Sequence, residues 1–574
     1  MGIGEIVNEA IIISSFRKRG TFTLIAGLAV LFATLSVTSL LRKSPTCDET
    51  GHHIASGYVF LTKGDFAFST EVPPLSRYIM ALPLLSLDLN LPDDKAFWAR
   101  EDRSEFSRDF IYGLNREKAG KMVLFARIPM VVIGLLGGIF LFVWTRKHFD
   151  LMVAAISALL YFLSPNIIAH SSLATTDITA TVFIMCSAMC FWDFFKNPKG
   201  KTALVCGILL GLALLSKFTA LFLIPVLGLM AAGAVFYRPP ALIHDKKAGI
   251  VWFLLLMLSA AFIVLWAGYF FEFRPLLEGV LRADQKEQVF TDLAGKIFSG
   301  EGAVKENAKR FLYAVPVPLS SFIMGIAGII KHSSEGSRNF FIGEWSDKGN
   351  PMYYVVAFLI KTPIPVLIGF FTGIFTVLAK RKGRDLAVYL ISIILLFSIM
   401  ASRSNLQIGL RYLLPVYPFI FIISALGITS MLRAGYLLRI TAAVLIIWMA
   451  ALHLFIWPDY LGYFNEIIGG PGRGYLYLRD SNIDWGQDLP ALKKYMDENN
   501  INEVKLAYFG TADPAYFGIN HKHLEESDVK VPGRAVYAIS VHYLETVEWT
   551  RSNKNSGKAG ESIFVYDFTN QGIK

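Results

Sequence analysis

The 574-residue chain is 54% hydrophobic and carries a formal net charge of +10, with a mean hydropathy of +0.48. The apolar residues come in long blocks separated by short Lys/Arg clusters, which is the signature of a polytopic membrane protein and excludes an ordinary water-soluble domain. The basic clusters are too short and too scattered for a nucleic-acid-binding module, and cytosolic loops account for the excess cations.

The first apolar run, 21–41, follows Arg17, Lys18 and Arg19 and lacks a small-x-small cleavage site, so it reads as an uncleaved first helix. Further runs fall at 124–144, 151–165, 177–195, 202–216, 218–236, 249–269, 352–379, 386–401, 411–431 and 437–457. Against a requirement of ~20 residues per crossing, this predicts about eleven spanning helices. The basic residues Arg17 to Arg19, Arg146 and Lys147, Lys196 to Lys201, Lys246 and Lys247, Lys380 to Arg384, Arg433 and Arg439 then share one side. By the positive-inside rule that side is the cytosol, with the N-terminus in and the C-terminus out.

The opposite side receives two long loops, 42–120 and 270–350. The first mixes charges with Phe97, Trp98, Phe106, Phe110 and Tyr112, as an interfacial amphipathic segment would. The second contains an apolar stretch from Phe311 to Ile330, broken by Pro316 and Pro318, which lies in the interface or re-enters; an extra pair of crossings is the alternative. After Trp457 and Pro458 the composition becomes that of a soluble protein. Leu489 to Glu498 reads as a helix, and Val504 to Phe509, Val536 to Val541 and Ile563 to Phe568 as strands. The expected organisation is a membrane domain over 1–457 and a small outer α/β domain over 458–574, large enough for a modest core.

Of the four cysteines, Cys186, Cys190 and Cys206 sit inside apolar runs and only Cys47 lies outside, so neither a disulfide framework nor a cysteine metal site follows. The chemistry concentrates just after the first span, in C-D-E-T-G-H-H-I-A-S-G-Y and then G-D-F-A-F-S-T-E-V-P-P-L-S-R-Y. Asp48, Glu49, His52, His53 and Glu71 are titratable groups crowded at a membrane edge, where adjacent carboxylates repel each other and resist desolvation. Arg77 closes the same stretch. Asp177 opens a span on that outer face, Lys217 sits where two apolar runs meet, and Arg411 with Tyr412 begins another span there. Acids and cations converging on one membrane face suit a polar, anionic substrate such as a lipid-linked phosphate. Asp480, Asn482, Asp484 and Trp485, shortly after the last span, are placed to close over such a site. His52 and His53 are possible ligands of a divalent metal, but no H-x-x-x-H or D-x-D pattern accompanies them.

D-E-x-x-H after the first span, followed by G-D-F and E-V-P-P-L, resembles the membrane glycosyltransferases of the GT-C fold. The nearest group is the protein O-mannosyltransferase and aminoarabinose-transferase-like enzymes, glycosyltransferase family 39 and its bacterial relatives. T-D-I-T-A around Asp177, G-L-A-L-L-S-K-F-T-A-L around Lys217 and Y-F-N-E-I-I-G-G-P-G-R-G-Y-L-Y-L-R-D-S-N-I-D-W-G-Q-D-L at 463–489 are similar to further motifs of that family, in the right order. The resemblance implies that Asp48 is the catalytic carboxylate with Glu49 as its partner, that Asp177 is a second acidic position, that Glu71 matches an acidic or histidine position, and that Lys217 contacts the donor phosphate. Either His52 or His53 matches the family histidine, and metal dependence is left open. The implied localisation is a bacterial inner membrane with the site on the periplasmic side.

The expected reaction is inverting transfer of a sugar from a polyprenyl-phosphate donor to a glycan, lipid or protein acceptor. Asp48 acts as base, Glu49 or Glu71 orients it or raises its pKa by like charge, and Lys217 with Arg411 stabilises the departing phosphate. The rival reading is a transporter or flippase of a lipid-linked sugar, which intramembrane charges serve equally well. Against it stand the absence of a visible repeat and the position of the charges at helix ends. A third reading is an accessory subunit whose outer domain binds partners.

Overall fold

The computed structural model describes residues 3–92, 103–237, 247–276, 312–379 and 384–569. Seven helices among them are long and apolar enough to cross a membrane: Gly20–Leu40, Arg116–His148, Asp177–Lys196, Val251–Gly268, Arg384–Arg403, Leu414–Leu432 and Tyr436–Ile456. Two helix pairs pass the same test but are bent, Leu151–Phe162 with Pro165–Ser171 by 56° and Tyr353–Lys361 with Ile364–Ala379 by 115°, so counting each pair once gives nine. Among the described residues there are thus seven to nine spans against the about eleven expected, with Leu75–Ser86, Gly200–Ser216 and Phe218–Met230 as shorter apolar helices. Local chemistry explains the breaks. Pro165 starts its helix and Pro363 forces Thr362 into extended backbone (ψ 132°), because the residue before a proline is excluded from the helical region. Lys217 is likewise extended (φ −164°, ψ 144°), which separates the two short helices.

The outward faces of these helices carry large apolar side chains such as Phe375 and Trp252, 74% and 70% exposed. Such residues are disfavoured against water and suit lipid. Inside the bundle, small residues allow close approach. Gly369 and Gly373, spaced as small-xxx-small, face Gly427 of the helix Tyr417–Leu432, and a Cβ at Gly427 would overlap the Gly369 carbonyl.

The first outer loop is a packed layer. It folds into the turn Glu49–His53 and the helices Ile54–Lys63, Leu75–Ala81 and Arg103–Arg108. Phe106 and Phe110 are fully buried, against Phe68 (ring centroids 4.8 Å apart) and Tyr58 (5.5 Å), and Tyr112 is buried with them. This corrects the interfacial reading of those three residues: Phe106 and Phe110 bury against the loop's own aromatic rings, and Tyr112 against Tyr516 of the C-terminal domain (5.3 Å). Phe97 and Trp98 lie outside the described residues, as do Lys246, Lys380 to Lys382 and much of the second outer loop. Within that loop Phe273–Pro275 pairs with Pro316–Pro318, Ser320–Glu335 forms a 16-residue helix that is not among the spans, and Asn339–Phe341 pairs with Glu344–Ser346.

Beyond Pro458 lies a five-stranded mixed sheet in the order His521–His523, Val504–Ala507, Val536–Ser540, Ile563–Asp567, Gly557–Ala559. Its first three strands are parallel and the last two antiparallel. The helix Leu489–Glu498 and the three central strands fall where apolar spacing predicts them. The two edge strands have three residues each and no apolar alternation, so nothing in the residues announces them. Backbone bonds stitch the connecting segment to the end of the first span: Ser44 N donates to Gln487 O (3.0 Å) and Cys47 N to Trp485 O (2.9 Å). Asp48 is thereby set beside Trp485.

Replacing Gly427 by valine is expected to push its helix off Gly369 and Gly373. The predicted loss is about 1–3 kcal/mol, as for overpacked cores, read as a lowered unfolding midpoint in detergent.

Candidate functional site

The adjacent carboxylates Asp48 and Glu49 take opposite directions. Glu49 is fully buried, and each of its oxygens is engaged. Oε1 accepts from Arg127 Nε (2.7 Å) and Ala174 N (2.7 Å); Oε2 accepts from Arg127 Nη2 (2.7 Å), Thr46 N (2.7 Å) and Thr46 Oγ1 (3.1 Å). Arg127 also donates to the carbonyls of Leu40, Lys43 and Ser44, which uses all five of its N–H groups. The pair ties the end of the first span, the outer loop, the second span and the approach to Asp177 together. Glu49 therefore cannot orient Asp48 by contact, a correction to the pairing expected of the D-E motif.

Asp48 keeps 25% of its side chain exposed, and its Oδ2 accepts from Arg411 Nη1 at 2.8 Å. Burial alone would raise its pKa, but the Arg411 charge outweighs it and holds the carboxyl at about 2. The expected upward shift by like charge does not occur: Glu71 is 63% exposed and lies 3.9 Å from His52. Arg411 lies over the Trp485 ring (4.2 Å) and near Tyr412 (5.8 Å). Its Nε, buried, has no hydrogen-bond partner. Lys217 also lies against Tyr412, 4.5 Å from the ring centroid, and donates to Asp177 Oδ1 at 2.6 Å. Asp177, 1% exposed, also accepts from Thr175 Oγ1 (3.1 Å) and has His170 Nδ1 3.7 Å away.

The segment after the last span supplies the remaining wall. Asp480, at a left-handed φ of 55°, accepts from Ser481 N. Burial lifts its pKa to about 6, against the pull of Arg411. Asn482 Oδ1 accepts from Leu410 N (3.0 Å), and its amide donates to Tyr353 Oη and Arg479 O (2.9 Å each), so it fixes the turn that presents Arg411. Asp484 turns inward to Gly486 N (3.1 Å), where burial raises its pKa to about 8. Asp48, Asp177, Lys217, Arg411, Tyr412, Asp480 and Trp485 thus converge, while Asn482 and Asp484 brace the wall and Glu49 and Glu71 stand apart.

The two histidines also diverge. His53 is buried, and its Nδ1 accepts from Arg77 Nε at 3.4 Å, so the ring is neutral there; burial and the Arg77 charge take its pKa to about 3. Arg77 is fully buried and donates to Ser69 O and Oγ (3.0 Å each). A nitrogen facing a guanidinium is not free for a cation, and no group of three or more His, Cys, Asp or Glu among the described residues is arranged to hold a metal ion. His52 and His53 therefore do not fit a shared metal site.

Three contributors were not singled out from the residues. Arg127 and Lys361 lie inside apolar runs, and a charge inside a span is itself a signal. Lys361 is 2% exposed and donates to Leu461 O (2.9 Å) and to the Asn482 carbonyl. His170, packed edge-on near Trp485 (6.4 Å), carries no such signal.

Among known proteins, residues 109–276 match the family model of dolichyl-phosphate-mannose-protein mannosyltransferases. A comparison with curated proteins finds no match. Among solved structures, the chain is similar to ArnT from Cupriavidus metallidurans bound to undecaprenyl phosphate, with 12% identity, a TM-score of 0.48 and coverage of 95% of this chain and 97% of that one. It is also similar to the archaeal oligosaccharyltransferase AglB from Archaeoglobus fulgidus in complex with an inhibitory peptide and a dolichol-phosphate: 14% identity, TM-score 0.43, covering 87% and 65%. For the S. cerevisiae protein O-mannosyltransferase complex bound to the sugar donor, the values are 19%, 0.34, 46% and 37%.

Glu49→Gln leaves Arg127 buried with its charge unmatched. It is expected to cost about 3–5 kcal/mol in stability, measured by thermal unfolding. The pH dependence has a sign that Asp480 sets. A carboxyl whose folded pKa is raised to about 6 favours the fold below its unfolded value and loses that contribution as pH rises through 6. Asp48 behaves oppositely, its contribution being lost only as pH falls towards 2. Asp480→Asn tolerates the left-handed backbone, so its unfolding midpoint should rise relative to wild type between pH 4 and pH 7. An unchanged difference across that range would contradict the assignment.

Proposed function

We propose that this chain is an inverting glycosyltransferase that moves a sugar from a polyprenyl-phosphate donor to an acceptor at the outer membrane face. The observation that carries this reading is one partly exposed carboxylate, Asp48, paired with Arg411 near a second ion pair, Asp177 with Lys217, at the mouth of an apolar bundle. The match of residues 109–276 to a family named for lipid-phosphate-dependent mannosyl transfer supports it. Counting two of the shorter apolar helices, Gly200–Ser216 and Phe218–Met230, as crossings beside the nine gives eleven spans in a GT-C-type arrangement. The domains would be 1–457 and 458–574, with the N-terminus cytosolic and the outer domain on the periplasmic side of a bacterial inner membrane.

In the proposed reaction the acceptor oxygen attacks C1 of the sugar while Asp48 removes its proton. The C1–phosphate bond breaks, and the electron pair leaves on the polyprenyl phosphate, whose charge Arg411 and Lys217 stabilise. Asp48 paired with Arg411 is a weak base. An anionic donor competes for that guanidinium, so bringing the phosphate in loosens the pair and raises the basicity of Asp48 at the moment it is needed. Asp177 holds Lys217 in place, and with Asp480 and Trp485 it lines the space for sugar. Glu49 is a positioning residue, fixing the turn that carries Asp48.

Asp48→Asn should lower turnover by about 10²–10⁴, the usual worth of a general base, with donor affinity retained. Lys217→Met should weaken donor binding instead. Full turnover by the Asp48 variant in a donor-consumption assay would refute the assignment.

A further inference from the structure

At the end of the bundle opposite Asp48, a cavity of about 120 Å³ lies between the helices Leu151–Phe162, Ile364–Ala379, Arg384–Arg403 and Tyr417–Leu432. Thr376, Thr429, Ser430, Arg384 and Arg433 line it. Thr429 is 2% exposed, and its hydroxyl has no hydrogen-bond partner. Helical threonines ordinarily donate to the carbonyl one turn back, as Thr372 (2.7 Å) and Thr376 (2.8 Å) do; Thr429 instead leaves its hydroxyl for the cavity.

The charges around this hydroxyl favour an anion. Arg384 lies in the first described turn of the helix Arg384–Arg403, and Ala387 of that turn also lines the cavity. The neighbouring Asp385 turns away to Lys196 (3.3 Å). One carboxylate, Asp150, is present, but it accepts from Met152 N and Val153 N (3.0 Å each) and from Arg433 Nη2 (2.6 Å), so its charge is already matched. Phe375 and Leu378, 74% and 62% exposed, run along the lipid-facing side of the helix that supplies Thr376. Basic pockets between membrane helices are places where phospholipid head groups bind.

We infer that this cavity holds the phosphate of an anionic phospholipid from the leaflet opposite the active site, with its acyl chains along Phe375 and Leu378. Thr429 would donate to a phosphate oxygen, and Arg384 would balance its charge.

The test uses the full-length protein, delipidated in detergent, and follows its unfolding midpoint with added phosphatidylglycerol, phosphatidylcholine or inorganic phosphate. Phosphatidylglycerol should raise the midpoint by several degrees more than phosphatidylcholine does, and inorganic phosphate should not reproduce the rise. Arg384→Gln, a surface change that leaves the core intact, and Thr429→Val should each weaken this response about tenfold in lipid concentration. Equal responses to the two lipids, a full response in Arg384→Gln, or an equal response to inorganic phosphate would each overturn the inference.

Discussion

The buried ion pair between Glu49 and Arg127 is the constraint on which the rest of the site depends. Its two side chains together bind the Leu40 carbonyl at the end of the first span, two carbonyls of the turn that follows and the approach to Asp177. A buried pair of this kind is weak evidence for added stability, because desolvating both charges offsets much of their attraction. Its value lies in geometry. With every donor of Arg127 used, the turn has one arrangement, and in that arrangement Asp48 points out of the protein while Glu49 points in.

A second set of contacts brings the outer segment to the same place. Lys361, inside a bent helix pair, holds the carbonyls of Leu461 and Asn482; Asn482 holds Leu410; and the next residue, Arg411, meets Asp48. Lys43 ties the end of the first span to Asp459 and to Asp488, the latter at 2.6 Å. The outer segment is therefore part of the membrane bundle's polar interior. Glu49 with Arg127, Asp177 with Lys217 and Asp48 with Arg411 pair charges across different elements, which makes the polar cluster and the assembly of the bundle one problem.

Much of this was legible in the residues. Asp177, Lys217 and Arg411 interrupt apolar runs, and a topology drawn from other residues puts them on one face with Asp48. The direction of each side chain was not legible. Neighbours such as Asp48 and Glu49 on a helical turn point about 100° apart, and the residues do not say which of the two meets a buried arginine. Arg127 and Lys361 carried a readable signal as charges inside spans, yet counting apolar length passes over a single cation. One break was passed over for a similar reason: the apolar run 352–379 continues through Pro363, where the backbone bends by 115°. The fit of Trp485 beneath Arg411 depends on tertiary contacts more than 70 positions apart and has no local sign.

The most direct measurement is release of free polyprenyl phosphate from a panel of polyprenyl-phosphate sugars, using purified protein with a membrane extract as the source of acceptor. The account predicts that one donor is consumed, with stoichiometric release and a product of inverted anomeric configuration. Transfer of an intact lipid-linked sugar across a sealed bilayer, with no phosphate bond broken for any donor, would contradict it and make the chain a carrier.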